Sequence, residues 1–203
     1  MTSRLALAIQ HLERAPEVLL CARSMREWQS VSLAYVGLSQ PKLPLDVQMR
    51  NGDSFHLTEF YDIETLWQVY FHGAYEARAA DRIIIDAGAN IGLFTCWAAR
   101  VAPEARVYSF EPAPSTFQRL QQHVRANGLS NRVTCFPVAV GGTREAVEIL
   151  FEGQSSQRSR VAAAAGAGAG GVSVRPLFSQ TARVEKVSLT SILDLVRRDA
   201  QRP

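Results

Sequence analysis

The sequence predicts an α/β fold built on a parallel β-sheet, and three observations lead to this prediction. The run Ile83 to Ile85 is continuous and β-branched, which is typical of a strand buried on both faces of a parallel sheet. The glycine-rich segment Asp86 to Gly92 follows it directly and precedes a helical pattern. Two further strands then alternate with helices of about ten to fifteen residues, which is typical of right-handed crossovers between parallel strands.

Length and composition place the chain among ordinary globular proteins. It has 203 residues, of which 47% are hydrophobic and 20% charged, which is enough for a domain with its own core. The net charge of +3 is small and the arginines are scattered, so nothing in the charge indicates a nucleic-acid partner. Cys21, Cys96 and Cys135 lack metal-ligand spacing and predict no metal site. Their odd number favours a reducing, cytoplasmic location.

The N-terminal segment predicts neither a membrane span nor an export signal. Its apolar run, Leu5 to Ile9, is far shorter than the ~20 residues that a membrane-spanning helix requires. An amphipathic, arginine-containing start is also compatible with a transit peptide, but Glu13 and Glu17 argue against that alternative. We therefore expect a soluble protein that has no membrane partner.

Residues 1–80 predict a helical and β-hairpin extension before the sheet. A first helix capped by Thr2 or Ser3 runs to Arg14, and Pro16 opens a second one. The second helix is expected to present a core-facing apolar stripe formed by Val18, Leu19, Leu20 and Trp28.

A hairpin and a short helix follow. The alternation from Leu45 to Leu57 surrounds Asn51-Gly52, which predicts a hairpin with a tight primed turn. Ile63, Leu66, Trp67 and Tyr70 then recur at helical spacing, which predicts a helix from Asp62 to about Phe71 that ends at Gly73.

The sheet region, from residue 81 onward, alternates strands and helices. After the first strand, a helix is predicted from Ile91 to Arg100 and a second strand from Arg106 to Phe110. Ser115 is expected to cap a helix that ends at Ala126, before Asn127-Gly128. Arg132 to Val140 predicts a third strand.

The pattern weakens after Gly141-Gly142. Residues 154–171 are polar and then only Ala and Gly, so we expect a flexible loop rather than a phosphate-binding loop, since no GxxxxGK[ST] pattern occurs. Around this loop we predict a strand over Ala146–Phe151, a strand over Val184–Val187 and a final helix over Leu189–Arg198, capped by Ser188 or Thr190.

The segment Asp86 to Gly92 is a candidate ligand-binding turn. Gly88 and Gly92 leave room for a ligand to approach the backbone, and the N–H groups at the helix start offer donors to an anionic group. A G-x-G-x-x-G dinucleotide fingerprint would require glycine where Asn90 and Leu93 stand, which argues against a pyrophosphate ligand. The alternative is that both glycines only allow close helix–strand packing.

Glu111 is the second candidate site residue. It ends the next strand, 25 residues after Asp86, near the spacing at which an acidic residue reaches ribose hydroxyls in doubly wound folds. A carboxylate there accepts hydrogen bonds from both vicinal hydroxyls. The alternative is a solvated carboxylate at a strand end, but both features at one sheet edge favour ligand binding.

At these residues the chain resembles the FkbM-type methyltransferases, a family of the class I, Rossmann-like fold. The resemblance rests on four motifs in order: Ile84 to Gly92, Phe110-Glu111-Pro112, Asn127-Gly128-Leu129 and Val138-Ala139-Val140-Gly141. The upstream hairpin and the later Val187 to Asp194 also follow the family's order. The likeness covers about residues 45 to 195, and residues 81–203 would form the methyltransferase domain.

The resemblance implies S-adenosylmethionine as cofactor and methyl transfer to a small-molecule hydroxyl. It implies that Gly88, Ala89, Asn90 and Gly92 line the methionine and ribose portion, in the motif that Asp86 begins. By the same resemblance, Glu111 would hold the ribose hydroxyls, and Val138 and Ala139 would lie near the adenine. No catalytic residue is assigned, because nothing in the sequence brings His56, His72 or His123 to the loop.

The chain departs from the family pattern after the last predicted helix. The family usually continues into a strand reading L-K-x-D-x-E-G, which is missing here, so we expect an incomplete sheet, in either a fragment of a longer protein or a shortened relative. This leaves an alternative: a non-catalytic remnant or nucleotide-binding module that self-associates through an uncovered sheet edge. A nicotinamide-dependent oxidoreductase is a third alternative, which Asn90 and Leu93 weaken.

Overall fold

The computed structural model describes residues 12–142, 145–152, 155–161 and 180–200. Its helices are α1 (Ala15–Ser24), α2 (Trp28–Tyr35), α3 (Phe60–Tyr70), α4 (Leu93–Val101), α5 (Pro114–Ala126) and α6 (Leu189–Ala200). Its strands are β1 (Leu45–Gln48), β2 (Ser54–Leu57), β3 (Ile83–Ala87), β4 (Arg106–Phe110), β5 (Val133–Phe136), β6 (Val138–Gly141), β7 (Glu145–Glu152), β8 (Ser155–Val161) and β9 (Gln180–Ser188). None of the described helices is long and apolar enough to cross a membrane.

A parallel sheet with the strand order β3-β4-β5 forms the centre of the fold and confirms the predicted α/β class. Ile84 is buried, but Ile83 is 43% exposed. The expectation of a strand buried on both faces is wrong for Ile83. Ile83 lies on the face of the sheet that α6 covers. It stays exposed because α6 packs its Ile192 and Val196 against Tyr108 and Phe110 of the neighbouring strand β4.

The predicted third strand, Arg132 to Val140, is two strands that belong to different sheets. β5 pairs with β4, whereas β6 pairs in parallel with β9. Pro137 separates them, and because proline has no N–H to donate to a ladder, pairing with a single neighbour ends there.

A second sheet has the order β6-β9-β7-β8. The added strand predicted at Ala146–Phe151 and the strand predicted at Val184–Val187 are confirmed within the longer β7 and β9. The flexible loop predicted at 154–171 is wrong in its first part, because Ser155–Val161 forms β8 and pairs antiparallel with β7. Its Ala/Gly part lies outside the described residues.

Two short helices replace the single long one predicted after Pro16. The chain is extended at Met25, which forms a bridge to Met49 of the hairpin, and Trp28 begins a new helix. Leu19 and Leu20, expected to face the core, are exposed, and Cys21 is the buried position of α1. Most of the helix predicted from Thr2 or Ser3 to Arg14 lies outside the described residues; Leu12–Arg14 form a 3-10 turn.

The predicted hairpin is confirmed, but its turn is longer than a two-residue primed turn. Met49 N–H donates to the Asp53 carbonyl, Gly52 N–H donates to the Met49 carbonyl, and only Gly52 has a positive φ, of 97°. This is the three-residue connection in which a turn ends in a left-handed glycine.

The predictions for α3, α4 and α5 hold except at one cap. α3, α4 and α5 begin and end within two residues of their predicted bounds, and Asn127 with Gly128 ends α5. Ser115 is not the cap of α5, because Pro114, which lacks an N–H, takes the first helical position after Ala113. Ser188 does cap α6, since its hydroxyl accepts from the Ser191 N–H at 3.1 Å.

One hydrophobic cluster joins the N-terminal helices and hairpin to the sheet. Its members include Met25, Val31, Phe55, Trp67 and Val107. The N-terminal segment therefore packs directly on the face of the sheet that α4 and α5 also cover.

Candidate functional site

The segment Asp86–Gly92, called the glycine loop below, contains the last two residues of β3 and leads to α4 through three left-handed residues. Gly88 has a φ of 83°, Asn90 of 50° and Gly92 of 88°. Glycine adopts such angles at no steric cost, and asparagine tolerates them better than most residues. These residues turn the chain sharply at the carboxyl end of the central sheet.

Three consecutive N–H groups of the loop are bound to the neighbouring strand end. The Phe110 carbonyl accepts from both Gly88 N–H and Ala89 N–H at 2.9 Å, and Asn90 N–H donates to Glu111 Oε2 at 2.9 Å. The end of β4 therefore already uses the N–H groups of residues 88–90. The donors expected for an anion are those at the start of α4, and they stay a prediction.

Glu111 lies beside the glycine loop. Its second oxygen, Oε1, accepts from Ala113 N–H at 2.8 Å, and the residue is only 3% exposed. Burial raises the pKa of this carboxyl to about 7, although the two backbone hydrogen bonds oppose the shift. A carboxylate offers about four acceptor positions, so two remain for a ligand's hydroxyls.

A row of buried, hydrogen-bonded polar side chains holds the first residue of the glycine loop. Thr95 on α4 donates to Asp86 Oδ2 at 2.6 Å, and its hydroxyl lies 2.8 Å from that of Ser109. Burial raises the pKa of Asp86 to about 6. Thr95 and Ser109 were not among the predicted site residues, because their only signal in the sequence is a hydroxyl at an otherwise apolar helix or strand position.

The two glycines of the loop have different roles. A Cβ on Gly88 would meet nothing within 4 Å, which leaves the space that a ligand needs beside the backbone. A Cβ on Gly92 would lie 2.6 Å from Leu120 Cδ1 of α5. Gly92 therefore packs closely against α5 on the side where a Cβ would point, and its contact with a ligand stays a prediction.

Alanine substitutions are expected to separate these roles. Gly92→Ala combines a left-handed φ with overpacking against Leu120, and we expect it to lower the free energy of unfolding by about 3 kcal/mol. Gly88→Ala carries only the backbone strain and costs about 1 kcal/mol. Urea denaturation measures both. Equal losses of unfolding free energy in the two single variants would contradict the packing role of Gly92. The double variant Gly92→Ala, Leu120→Ala should lose less unfolding free energy than the sum of the losses in Gly92→Ala and Leu120→Ala.

Val138 and Ala139 lie at the start of the second sheet, two residues after the end of β5. They belong to β6, and Phe136 just before it accepts from Glu111 N–H at 3.1 Å. Val138 lines a cavity of about 700 Å³ between the sheet and α6, whose wall also contains Tyr108 and Phe110. The glycine loop does not line that cavity or the neighbouring one of about 460 Å³ beside α5. The structure thus brings Glu111 to the loop, whereas Val138 lines a cavity that the loop does not line.

The candidate histidines are engaged elsewhere. His56 pairs with Asp46 and His72 with Glu17, both on the surface. His123 is buried, and both of its ring nitrogens lie within hydrogen-bond distance of backbone groups. No group of three or more His, Cys, Asp or Glu side chains with metal-binding arrangement occurs in the described part of the chain.

Comparison with known families and relatives points to one activity class. Residues 86–202 match the family described as Methyltransferase FkbM domain. The chain is 41% identical to the 31-O-demethyl-FK506 methyltransferase FkbM of Streptomyces tacrolimicus over 64 residues, 32% of this chain and 23% of that protein. It is 42% identical to Methyltransferase 1 of Beauveria bassiana over 50 residues, 25% of this chain and 20% of that protein. The matches thus span about a fifth of the length of these curated relatives.

Solved structures show partial likeness. A methyltransferase FkbM from Methylobacillus flagellatus matches 68% of this chain and 36% of its own, with 18% identity and a TM-score of 0.33. A transferase of Pyrococcus horikoshii matches 64% of this chain and 50% of its own, with 17% identity and a TM-score of 0.37. The parallel pairing of β3, β4 and β5 is the direct evidence for the α/β fold of this chain.

Proposed function

Because the chain belongs to the family of FkbM methyltransferase domains, we propose that it binds S-adenosylmethionine at the glycine loop and directs its methyl group to a small-molecule hydroxyl. The observation that carries this proposal is the buried Glu111 carboxylate bonded to Asn90 N–H. When bound, the cofactor supplies an electrophilic methyl group on a sulfonium sulfur. The protein's main contribution is then to hold donor and acceptor in register.

The residues present fit this cofactor. The free acceptor positions of Glu111 suit the two ribose hydroxyls, and the open side of Gly88 leaves room for the methionine portion. Asp86, Ala89 and Asn90 complete the loop that would surround it, whereas Gly92 contributes through its packing. Val138 and Ala139 are proposed near the adenine.

The acceptor is proposed to be a hydroxyl on a small molecule. The resemblance supports an oxygen acceptor, and one relative bears the name of a 31-O-demethyl substrate. None of the three histidines with engaged rings is a suitable base in this structure, so we assign no base. Residues 81–203 are proposed to carry the cofactor site, with 1–80 as an extension packed on it, in a cytoplasmic protein.

Thermal denaturation tests the proposal. S-adenosylmethionine, or its demethylated product, at a hundredfold excess over the dissociation constant should add about 2.7 kcal/mol to the unfolding free energy. For a chain of this size that corresponds to a rise of about 5 to 10 °C in Tm. No rise at millimolar ligand would contradict the proposal, and a rise with NADH alone would favour an oxidoreductase.

A non-catalytic role remains a second candidate because of one observation. Within the described residues, no strand pairs with the outer edge of β3, next to the exposed Ile83. Such an edge favours pairing with a second copy of the chain. Size-exclusion chromatography that shows a dimer without cofactor binding would favour this candidate, and a monomer that binds the cofactor would exclude it.

Ligand affinity is expected to depend on pH through Glu111. Its pKa of about 7 means that a large fraction of the carboxyl is protonated below neutral pH, and the acid form accepts fewer hydrogen bonds. Adenosine has no group that titrates between pH 6 and pH 8, so it reports the ribose contact. We expect its dissociation constant to rise about tenfold from pH 8 to pH 6. Isothermal titration calorimetry measures this, and a flat profile would contradict ribose binding by Glu111.

A further inference from the structure

His123 connects the glycine loop to the N-terminal hairpin. Its Nδ1 lies 2.7 Å from the Ile91 carbonyl, and its Nε2 accepts from His56 N–H at 3.0 Å. A carbonyl accepts and an N–H donates, so the ring is the neutral tautomer with its proton on Nδ1. Ile91 belongs to the loop and His56 to β2, so a single side chain joins two elements that are far apart in sequence.

The His123 ring is buried against Phe55, and a second contact between α5 and the glycine loop lies beside it. The ring is 4% exposed and lies edge-on to Phe55, with a centroid separation of 5.3 Å and an interplanar angle of 87°. One turn earlier on α5, Leu120 fills the space beside Gly92. The inner face of α5 therefore contacts two consecutive loop residues, by a hydrogen bond at Ile91 and by packing at Gly92.

We propose that His123 is a positioning residue that holds the glycine loop in its cofactor-binding conformation and couples that loop to the hairpin. The proposal rests on the proposed function for its consequence, cofactor affinity, but its structural part, loop anchoring, stands by itself. His123 acts through the Ile91 carbonyl and does not contact the cofactor. The hairpin of the N-terminal extension thereby supports the cofactor site through His123, without contacting the cofactor.

The proposal requires that His123 stays neutral. Burial lowers the pKa of His123, and the nearby Arg119 guanidinium adds to that effect, while Asp62 and the bond to the Ile91 carbonyl oppose it. His56 is the remaining titratable neighbour. Protonation would place a proton on Nε2 opposite His56 N–H and break the bond to the hairpin.

Three variants test the proposal. His123→Leu removes both hydrogen bonds, and His123→Gln supplies an amide with one donor and one acceptor in their place. Val124→Ala is the control, because Val124 is a buried neighbour on α5 that belongs to the core cluster and forms no side-chain hydrogen bond to the loop. We expect His123→Leu to weaken S-adenosylmethionine binding at least tenfold, and His123→Gln and Val124→Ala to stay within about threefold of wild type.

Amide hydrogen exchange provides a readout without cofactor. The amides of Gly88, Ala89 and Asn90 are hydrogen-bonded and report opening of the loop, while Val107 N–H, bonded to the Arg132 carbonyl, reports opening of the sheet. In His123→Leu the loop amides should exchange at least tenfold faster while Val107 changes less. In wild type, acidification well below the ordinary histidine pKa should accelerate loop exchange beyond its chemical rate. His123→Gln should show a smaller acceleration, because only the titration of Glu111 then remains to loosen the loop.

The outcomes separate the two proposals. If wild type does not bind S-adenosylmethionine but His123→Leu still opens the loop selectively, the proposed function fails and the anchoring role stands. Uniform acceleration of loop and sheet amides, or equal effects of His123→Leu and Val124→Ala, would overturn the positioning role. If His123→Leu does not fold, the acid-induced acceleration of loop exchange in wild type is compared with that in His123→Gln. The absence of any difference between the two would overturn the proposal.

Discussion

Glu111→Ala is expected to weaken S-adenosylmethionine binding by at least about a hundredfold. Hydrogen bonds to a charged acceptor contribute about 1.5 to 3 kcal/mol each, so the loss of two ribose contacts alone corresponds to at least that factor. The substitution also leaves Asn90 N–H and Ala113 N–H without their acceptors in a buried setting. Both effects act in the same direction, since the loop that receives the cofactor loses its anchor to β4. Isothermal titration calorimetry measures the affinity.

Glu111→Gln separates shape from charge. Glutamine has the same shape, but whichever way its amide is turned, its NH₂ group faces one of the two backbone N–H donors. We therefore expect it to bind the cofactor nearly as weakly as Glu111→Ala. Glu104→Ala is the matched control, because that carboxylate is 71% exposed in a loose pair with Arg82. Wild-type affinity in Glu111→Ala would disprove the proposed site.

The approach of Glu111 to the glycine loop could be predicted from the sequence. The carboxyl ends of neighbouring parallel strands meet at one sheet edge, and residues 88–92 and Glu111 directly follow β3 and β4. Strand order and the local motif were therefore sufficient. Both are local signals that do not depend on how distant side chains pack.

Other parts of the site depend on contacts that local patterns do not contain. Gly88 and Gly92 look equivalent in sequence, and only the position of Leu120 on α5 shows that one is open and the other packed. Likewise, His123 has the spacing of an ordinary helix residue, and its bond to Ile91 depends on how α5 docks on the loop. Such contacts between distant segments are invisible to periodicity.

The docking of α5 also involves a buried ion pair that the sequence analysis did not predict. Arg119 donates to Asp62 Oδ2 at 2.6 Å and to Oδ1 at 3.3 Å, and it also donates to the His56 carbonyl. The Arg119 side chain is 13% exposed and the Asp62 side chain is 5% exposed. This pair joins α5 to the start of α3 and to β2, so it supports the same helix that carries His123 and Leu120.

Arg119→Met is expected to lower the free energy of unfolding by about 3 to 5 kcal/mol, the range measured when one partner of a buried ion pair is removed. Asp62 keeps its bonds from Thr58 N–H and Glu59 N–H but loses the one cation that pairs with it among the described residues. The adjacent Glu59 adds to the cost: burial and then the Asp62 charge raise its pKa, and the Arg119 charge opposes them. Urea denaturation measures the loss, and the corresponding fall in Tm is about 10 °C.

Two further variants determine whether charge or geometry carries this effect. Arg119→Lys keeps the charge but loses the planar guanidinium that binds both carboxylate oxygens. Its free energy of unfolding should therefore lie between those of wild type and Arg119→Met. Arg197→Met removes a 75% exposed arginine whose pair with Asp194 spans 3.7 Å, and it should change stability by less than about 0.5 kcal/mol. If Arg119→Met were as mild as Arg197→Met, the pair would not anchor α5. The helix would then hold the glycine loop through Leu120 and His123 alone.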